Sequence, residues 1–467
     1  MEYRNTSSIL TRIQNLENNV DDFFLISNGI TVSFMQAGFA CLEAGCVNSK
    51  NVTNIIMKNV LDTFLCAIGY WLIGYSLAYS PGNAFMGYSH WAGFGVEDSS
   101  MAFWFYQFIF AATAATIISG AVAERCNFIA YIVYSSVVSG FVYPIVSHWV
   151  WAEDGWLNKL GFVDFAGSSA VHLLAGVCSL VAAILLGPRI GRFENGKVVD
   201  KPGHSIPLIG IGGLILISGF MAFNCGSLHQ ISKPKSGEIT ARIIINTVMG
   251  GGGASIIILI LCKTGLIGVS KWTFTTTLNA TITGMVSVAA GANQLTTIGA
   301  LLTGMCACFV YLLIRQTLIY FEIDDPLESV AVHLGGGLFG VISVSFFTRS
   351  GFMYGGRKKA ADILFYNFIG AIAIIAWSGA LSIILFGALK LTGYLRVSET
   401  VELEGLDITE HNEPAYPAQG WHRSPSLVSN YNINTAHLNQ PTEILSRKSQ
   451  DSSTVDISSD EFKNYKS

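Results

Sequence analysis

The 467 residues alternate between long apolar stretches and short polar breaks, and end in a polar segment. A helix needs about 20 mostly apolar residues to cross about 30 Å of hydrocarbon. Eleven runs fit: 22–46, 54–79, 101–122, 127–151, 164–187, 206–226, 239–262, 272–289, 296–318, 328–347 and 361–390. The run 272–289, rich in Thr and Gly, is the weakest. Pro144 and the glycines at 250–253 and 335–337 fall inside runs, where neighbouring helices can satisfy the backbone they loosen. The pattern predicts an all-α polytopic membrane protein of eleven transmembrane helices. Residues 1–21 form an N-terminal segment, 22–390 the transmembrane domain and 391–467 a tail, ordered to about 416 and disordered beyond. The first twenty residues are polar and show no cleavable signal, so the first apolar helix directs insertion.

Composition agrees with this. Charged residues are 12% of the chain, against about 25% in soluble domains. Apolar residues are 51%. So few charges cannot clothe a water-facing surface, so most of the surface meets the lipid bilayer. The net charge of −4 gives no sign of a nucleic-acid partner. Nine cysteines lie almost all within apolar runs, without CxxC or Cys/His metal spacing, and read as small packed residues. No nucleophile–base set or metal constellation appears, so the chain reads as neither an enzyme nor cofactor-dependent.

An odd number of spans puts the termini on opposite sides. Lys and Arg number sixteen on the side of the loop after the first span, the tail included, and ten on the other. That excess places the tail in the cytoplasm and the N-terminus outside. The sequon Asn5-Thr6-Ser7 lies on the proposed outer side.

Two patterns hint at an inverted repeat, an arrangement that puts a transport pathway at the interface of the halves. Asp164 precedes His172 by eight residues in span five, and Asp325 precedes His333 by eight in span ten. Gly38-Phe39 with Gly45 in span one matches Gly219-Phe220 with Gly226 in span six. Both keep a five-span offset, predicting a 5+5 inverted repeat plus one extra helix.

Titratable groups at membrane depth face the bundle interior. Lys58 and Asp62, four apart on one helix, are expected to neutralise each other. Glu43 suits a structural bond or a pathway role, and His148 reads as interfacial packing. His172 and His333 come to related midplane positions, where neutral imidazoles can bond each other and a small polar guest. They suit a cargo that loses its charge in transit. Trp149, Trp151, Phe108 and Phe110 could hold a cation by their ring faces, or serve as belt anchors and packing.

The stretch Asp164-Phe165-Ala166-Gly167-Ser168-Ser169-Ala170-Val171-His172, continuing to Ala175, Gly176, Ser179, Gly187 and Arg189, resembles the signature of the ammonium transporter (Amt) branch of the Amt/Rhesus superfamily. MQAGFACLEAG (Met35–Gly45), SKN with NIIMKNVLD (Ser49–Asp62), SGAVAER (Ser119–Arg125), FNCGS (Phe223–Ser227), the Asp324–His333 segment and EGLDITEH…AY (Glu404–Tyr416) are similar too, so the resemblance covers about 22 to 416. It implies eleven helices, an external N-terminus, a 5+5 inverted repeat and a plasma-membrane homotrimer with one pore per subunit. Residue by residue, it implies an outer ammonium site of Phe110, Trp151 and Ser227, supported by Asp164, which orders backbone groups. It also implies a gate of Phe110 and Phe223 and pore histidines His172 and His333. Tyr106 stands where the family often has Phe. Trp151 and Ser227 favour the Amt over the Rhesus branch. The implied substrate is ammonium or ammonia, with methylammonium as analogue. The segment Glu404–Tyr416 resembles the tail that couples subunits in the family, and Ser446–Ser459 has a phosphorylatable composition. An ammonium sensor, or a Rhesus-like gas channel for ammonia or carbon dioxide, is the alternative.

Overall fold

The computed structural model describes residues 2–268 and 271–417, with side chains from Ser8 onward. The side chain of Asn5 and the Ser446–Ser459 stretch lie outside it. Each apolar run folds as a helix or a chain of helical segments: α1 (Glu2–Cys46), α2 (Ser49–Tyr79), α3 (Asp98–Val122), α4 (Phe128–Leu160), α5 (Ser168–Leu186), α6 (Ile206–Gly226), α7 (Ser236–Lys263), α8 (Phe274–Val288), α9 (Thr297–Tyr320), α10 (Val330–Phe347) and α11 (Arg357–Leu391). Ten of these are long and apolar enough to cross a membrane. The exception among the described helices is α8, at 15 residues, so the expectation of eleven spanning helices holds for ten by this measure. The Thr-rich composition marked it as weakest beforehand. Two short helices of the tail, α12 (Glu399–Glu404) and α13 (Leu406–His411), follow.

The inverted repeat shows in reciprocal helix crossings. A Cβ on Gly176 of α5 would lie 2.3 Å from the Leu334 amide of α10, and one on Gly337 would lie 2.6 Å from the Leu173 amide. His172 and His333 are 161 residues apart. The same offset carries Gly176 onto Gly337 and Leu173 onto Leu334, so each contact is the image of the other. In α1 and α6, Gly38 faces Leu216 while Gly219 faces Met35, again a reciprocal pair under the Gly38-to-Gly219 offset. Only a two-fold relation between oppositely oriented halves produces such self-images. Gly176 and Gly337 sit where backbones nearly touch, an approach any larger residue would block.

The tail binds the loops at one end of the bundle. Arg396 donates to Glu402 at 2.8 Å and to the carbonyls of Leu186 and Pro188. Glu402 accepts from the Ile190 amide at 2.8 Å, and Asp407 from the Asn54 amide at 2.9 Å. Beneath them Arg189 is bound by Asp324 at 2.7 Å and by Glu124. Burial pushes the Glu124 and Asp324 carboxyls up, but the Arg189 guanidinium overcomes it and holds both below their ordinary values.

All nine cysteines are free, six of them buried. Lys58 and Asp62 do not pair with each other. Lys58 donates to the Cys126 carbonyl at 3.2 Å and lies over the Tyr131 ring, whereas Asp62 accepts from the Thr116 and Ser135 hydroxyls. Neighbouring helices supply better-placed partners than the next turn does. His148, expected at an interface, is buried between the carbonyls of Ala78 at 2.8 Å and Asn83 at 2.7 Å. Trp149 is buried too and donates to the Phe85 carbonyl at 2.9 Å, so it is not a lipid-belt anchor.

Candidate functional site: a column of rings ending in two histidines

Five of the sequence-predicted residues form one column through the protein interior. Phe110 of α3 and Phe223 of α6 lie face to face, ring centres 3.9 Å apart at 12°. Trp151, near the end of α4, meets Phe110 edge-on at 6.0 Å. On the opposite side of Phe223 lies His172 of α5, at 5.5 Å. Its ring stacks on His333 of α10 at 5.1 Å and 17°. The two Nδ1 atoms are 3.1 Å apart and both rings are buried.

The backbone aims these rings. His172 and His333 each sit in a π-helical turn, Ser168–Leu173 and Val330–Gly335, where α5 and α10 begin. Wide turns of this kind recur at functional sites because they redirect a side chain without ending the helix. Each is capped by an aspartate. Asp164 accepts from the amides of Gly167, Ser169 and Ala170 at 2.7–3.0 Å and from the Ser169 hydroxyl at 2.6 Å. Asp325 accepts from the amides of Ser329 and Val330. Gly167 is needed between Asp164 and the turn: its φ is +92°, and a Cβ there would press 3.3 Å from the Trp151 ring. Trp151 in turn donates Nε1–H to the Asp164 carbonyl at 2.8 Å. Asp164 therefore orients both Trp151 and the turn that carries His172, and its carboxylate oxygens are occupied by protein donors.

Ser227 closes the other flank. Its hydroxyl donates to the Phe223 carbonyl at 3.0 Å, and the Tyr106 hydroxyl reaches that carbonyl at 2.6 Å and Ser227 Oγ at 3.4 Å. Tyr106 also packs on Phe110 at 4.9 Å. Its phenol thus braces the stacked pair, a role that Phe at this position could not fill.

The chemistry of the histidine pair follows from its geometry. A hydrogen bond between two Nδ1 atoms requires one to carry a proton and the other to offer a lone pair. Both rings therefore cannot be imidazolium at once in this arrangement. His172 Nε2 is buried and has no hydrogen-bond partner among the described residues. Beyond His333, toward the tail-bearing end, lies a cavity of about 30 Å³ lined by Phe39, Glu43, Phe220, Ser329 and His333.

Phe220 and Glu43 line this cavity; sequence reading gave Phe220 no pore role and left Glu43 between a structural bond and a pathway role. Phe220 stacks on His172 at 5.5 Å. The signal was present: Phe39 and Phe220 are repeat mates, and both line the cavity below His333. Glu43 accepts from Ser119 and from Asn59 at 2.8 Å, which ties the cavity wall to α2 and α3.

Residues 23–416 match the model of the Ammonium Transporter Family. The chain belongs to that family. Its relatives include "Putative ammonium transporter 1" of Caenorhabditis elegans, 44% identical over 441 residues, covering 86% of this chain and 81% of the relative. "Ammonium transporter 3" of Dictyostelium discoideum is 35% identical over 419 residues, covering 86% and 95%. Among solved structures, a "Sensor Amt Protein" superimposes with a TM-score of 0.79 at 30% identity, over 85% of this chain and all of that one. Candida albicans Mep2 superimposes with a TM-score of 0.74 at 23% identity, over 82% and 87%, a likeness of fold. As an ammonium transporter family member, the protein is a multi-pass membrane protein, in keeping with its ten long apolar helices.

Proposed function

We propose that this chain carries ammonium across the plasma membrane, recruiting the cation at Trp151, Phe110 and Ser227 and conducting ammonia past His172 and His333. The observation that carries the reading is the buried histidine pair, Nδ1 to Nδ1 at 3.1 Å, directly behind the stacked Phe110–Phe223 rings. Rings 3.9 Å apart leave no passage for a hydrated ion between them. Stripping a small cation of water in a low-dielectric medium costs on the order of 20 kcal/mol. Ring-face attraction contributes about 0.5–2 kcal/mol per contact, which offsets partial dehydration only. The cargo therefore gives its proton, at or below the Phe110/Phe223 gate, to the lone pair of the His172–His333 imidazole pair, in which His172 Nε2 has no protein partner among the described residues, and continues as neutral ammonia. Potassium has the charge but no proton to give up, and so is refused.

The N-terminus faces outward and the tail the cytoplasm, with Asp164 supporting the recruitment site through the backbone it orders. Like the family, the chain works as a homotrimer with one pore per subunit. A sensing role has one specific support, the likeness to the "Sensor Amt Protein", and would use the same recruitment residues. Voltage-clamped methylammonium uptake with parallel intracellular pH recording in transport-deficient cells tests the proposal. Wild type raises uptake, and His333→Ala loses flux or its selectivity over potassium. Intact flux and selectivity in His333→Ala would overturn the twin-histidine step, and absence of wild-type uptake would favour sensing.

A further inference from the structure

Helix α1 runs 45 residues, about 68 Å at 1.5 Å per residue. The hydrocarbon layer takes about 30 Å, and tilts of up to about 40° cannot absorb the difference. Its apolar run begins after Asp21 and Asp22, so the turns before them stand clear of the hydrocarbon. In water these turns nonetheless expose Ile9, Ile13, Leu16 and Val20, between 40% and 63% accessible. With Phe23 the spacing alternates four, three, four and three residues. That is a 3.5-residue repeat, the signature of a helix whose partner is another helix rather than a flat core. Ile30 and Phe34, also exposed, continue the seam into the membrane-embedded part. Lipid can cover those two; nothing of the kind covers the four beyond the bilayer.

The flanking charges identify the partner. With Ile13 and Val20 at the a positions and Ile9, Leu16 and Phe23 at d, Arg12 takes g and Glu17 the next e. In parallel, in-register helices a g residue faces the e residue five positions on in its neighbour. Arg12 of one chain thus meets Glu17 of another with opposite charge. Copies inserted the same way into one membrane stand parallel and in register about a common axis. We propose that the N-terminal turns of α1, centred on Ile9, Ile13, Leu16 and Val20, form a short parallel coiled coil with the same segment of other copies of this chain. Two heptads alone are marginal in water. Membrane domains held side by side supply the effective concentration that free peptides lack. The coiled coil needs copies assembled in one membrane and stands whether or not the pore conducts ammonium.

The test is oxidative cross-linking of the full-length chain in membranes with copper phenanthroline. Leu16→Cys places identical thiols in one d layer, whereas Asn18→Cys points them away at f. Leu16→Cys should form covalent multiples of the chain at least ten-fold above Asn18→Cys and above the wild-type background of native cysteines. Ile9→Cys, one heptad earlier, should do the same and guards against a local folding fault at position 16. Arg12→Glu in the Leu16→Cys chain should lower the yield several-fold, and adding Glu17→Arg should restore it. Equal yields at 16 and 18, adducts that are not multiples of the chain, or no rescue by the charge swap would overturn the proposal.

Discussion

Single side chains at this site act through what they hold as much as through what they would touch. Trp151 has its indole N–H bound to the Asp164 carbonyl, so its ring is held edge-on against Phe110. Trp151→Leu should keep the fold and weaken methylammonium affinity by about 2- to 30-fold, the range of a cation–ring contact. Concentration-dependent uptake reads this as a raised KM with a smaller change in maximal flux. Asp164 is a different case, because it satisfies three amides and one hydroxyl. Asp164→Ala strands those donors at about 1–3 kcal/mol each, whereas Asp164→Asn keeps one acceptor oxygen. Thermal unfolding in detergent should rank wild type above Asp164→Asn above Asp164→Ala; equal melting of Asn and Ala variants would refute the capping role. Trp151, Phe110 and both histidines were legible as residue types in apolar surroundings, whereas Phe223 entered only through the family resemblance. The bracing by Tyr106 was not, since a hydroxyl's partner 117 residues away leaves no trace in local pattern.

Among the helices, the histidines owe their meeting to two glycine crossings. Gly176 lies against the Leu334 amide and Gly337 against the Leu173 amide, so α5 and α10 approach backbone to backbone. A Gly176→Leu side chain has no space there, and the helices must separate or shift register. Loss of folded protein on size-exclusion chromatography, or folded protein without uptake, is the expected result. Gly252→Ala, at a helical position with nothing near a Cβ, should behave like wild type in the same assay. The matched Asp–His spacing already signalled this arrangement, because an inverted repeat writes the same eight-residue interval twice. The wide π turns that carry both histidines were invisible, as no residue type demands one.

Considered as a whole, the molecule is fastened at its tail-bearing end by buried ions. Arg189 bonds Glu124 and Asp324, and the tail's Glu402 binds the next residue's amide. Both partner carboxyls are held below their ordinary values. Their stabilisation is therefore complete above about pH 4, the unfolded carboxylate value, and disappears as pH falls through the lowered folded values. Melting temperature should stay level near neutrality and drop below about pH 4. Arg189→Met leaves the buried Glu124 carboxylate without an ion-pair partner and Asp324 with only the more distant Arg192, at 3.5 Å, and should destabilise by about 3–5 kcal/mol at pH 7. Acid protonates those carboxylates and relieves the variant, so its gap to wild type should narrow toward pH 4; a pH-independent gap would contradict this account.

The chain's own pattern determined that it enters a membrane, where its helices run and that its halves repeat. These properties follow from the apolarity and period of contiguous residues, which lipid and backbone geometry read locally. Only the tertiary structure decided which buried polar group meets which. Lys58 turned to the Cys126 carbonyl instead of Asp62, and His148 to two distant carbonyls. A buried donor takes the best-placed acceptor in three dimensions, and in a bundle that acceptor belongs to another helix.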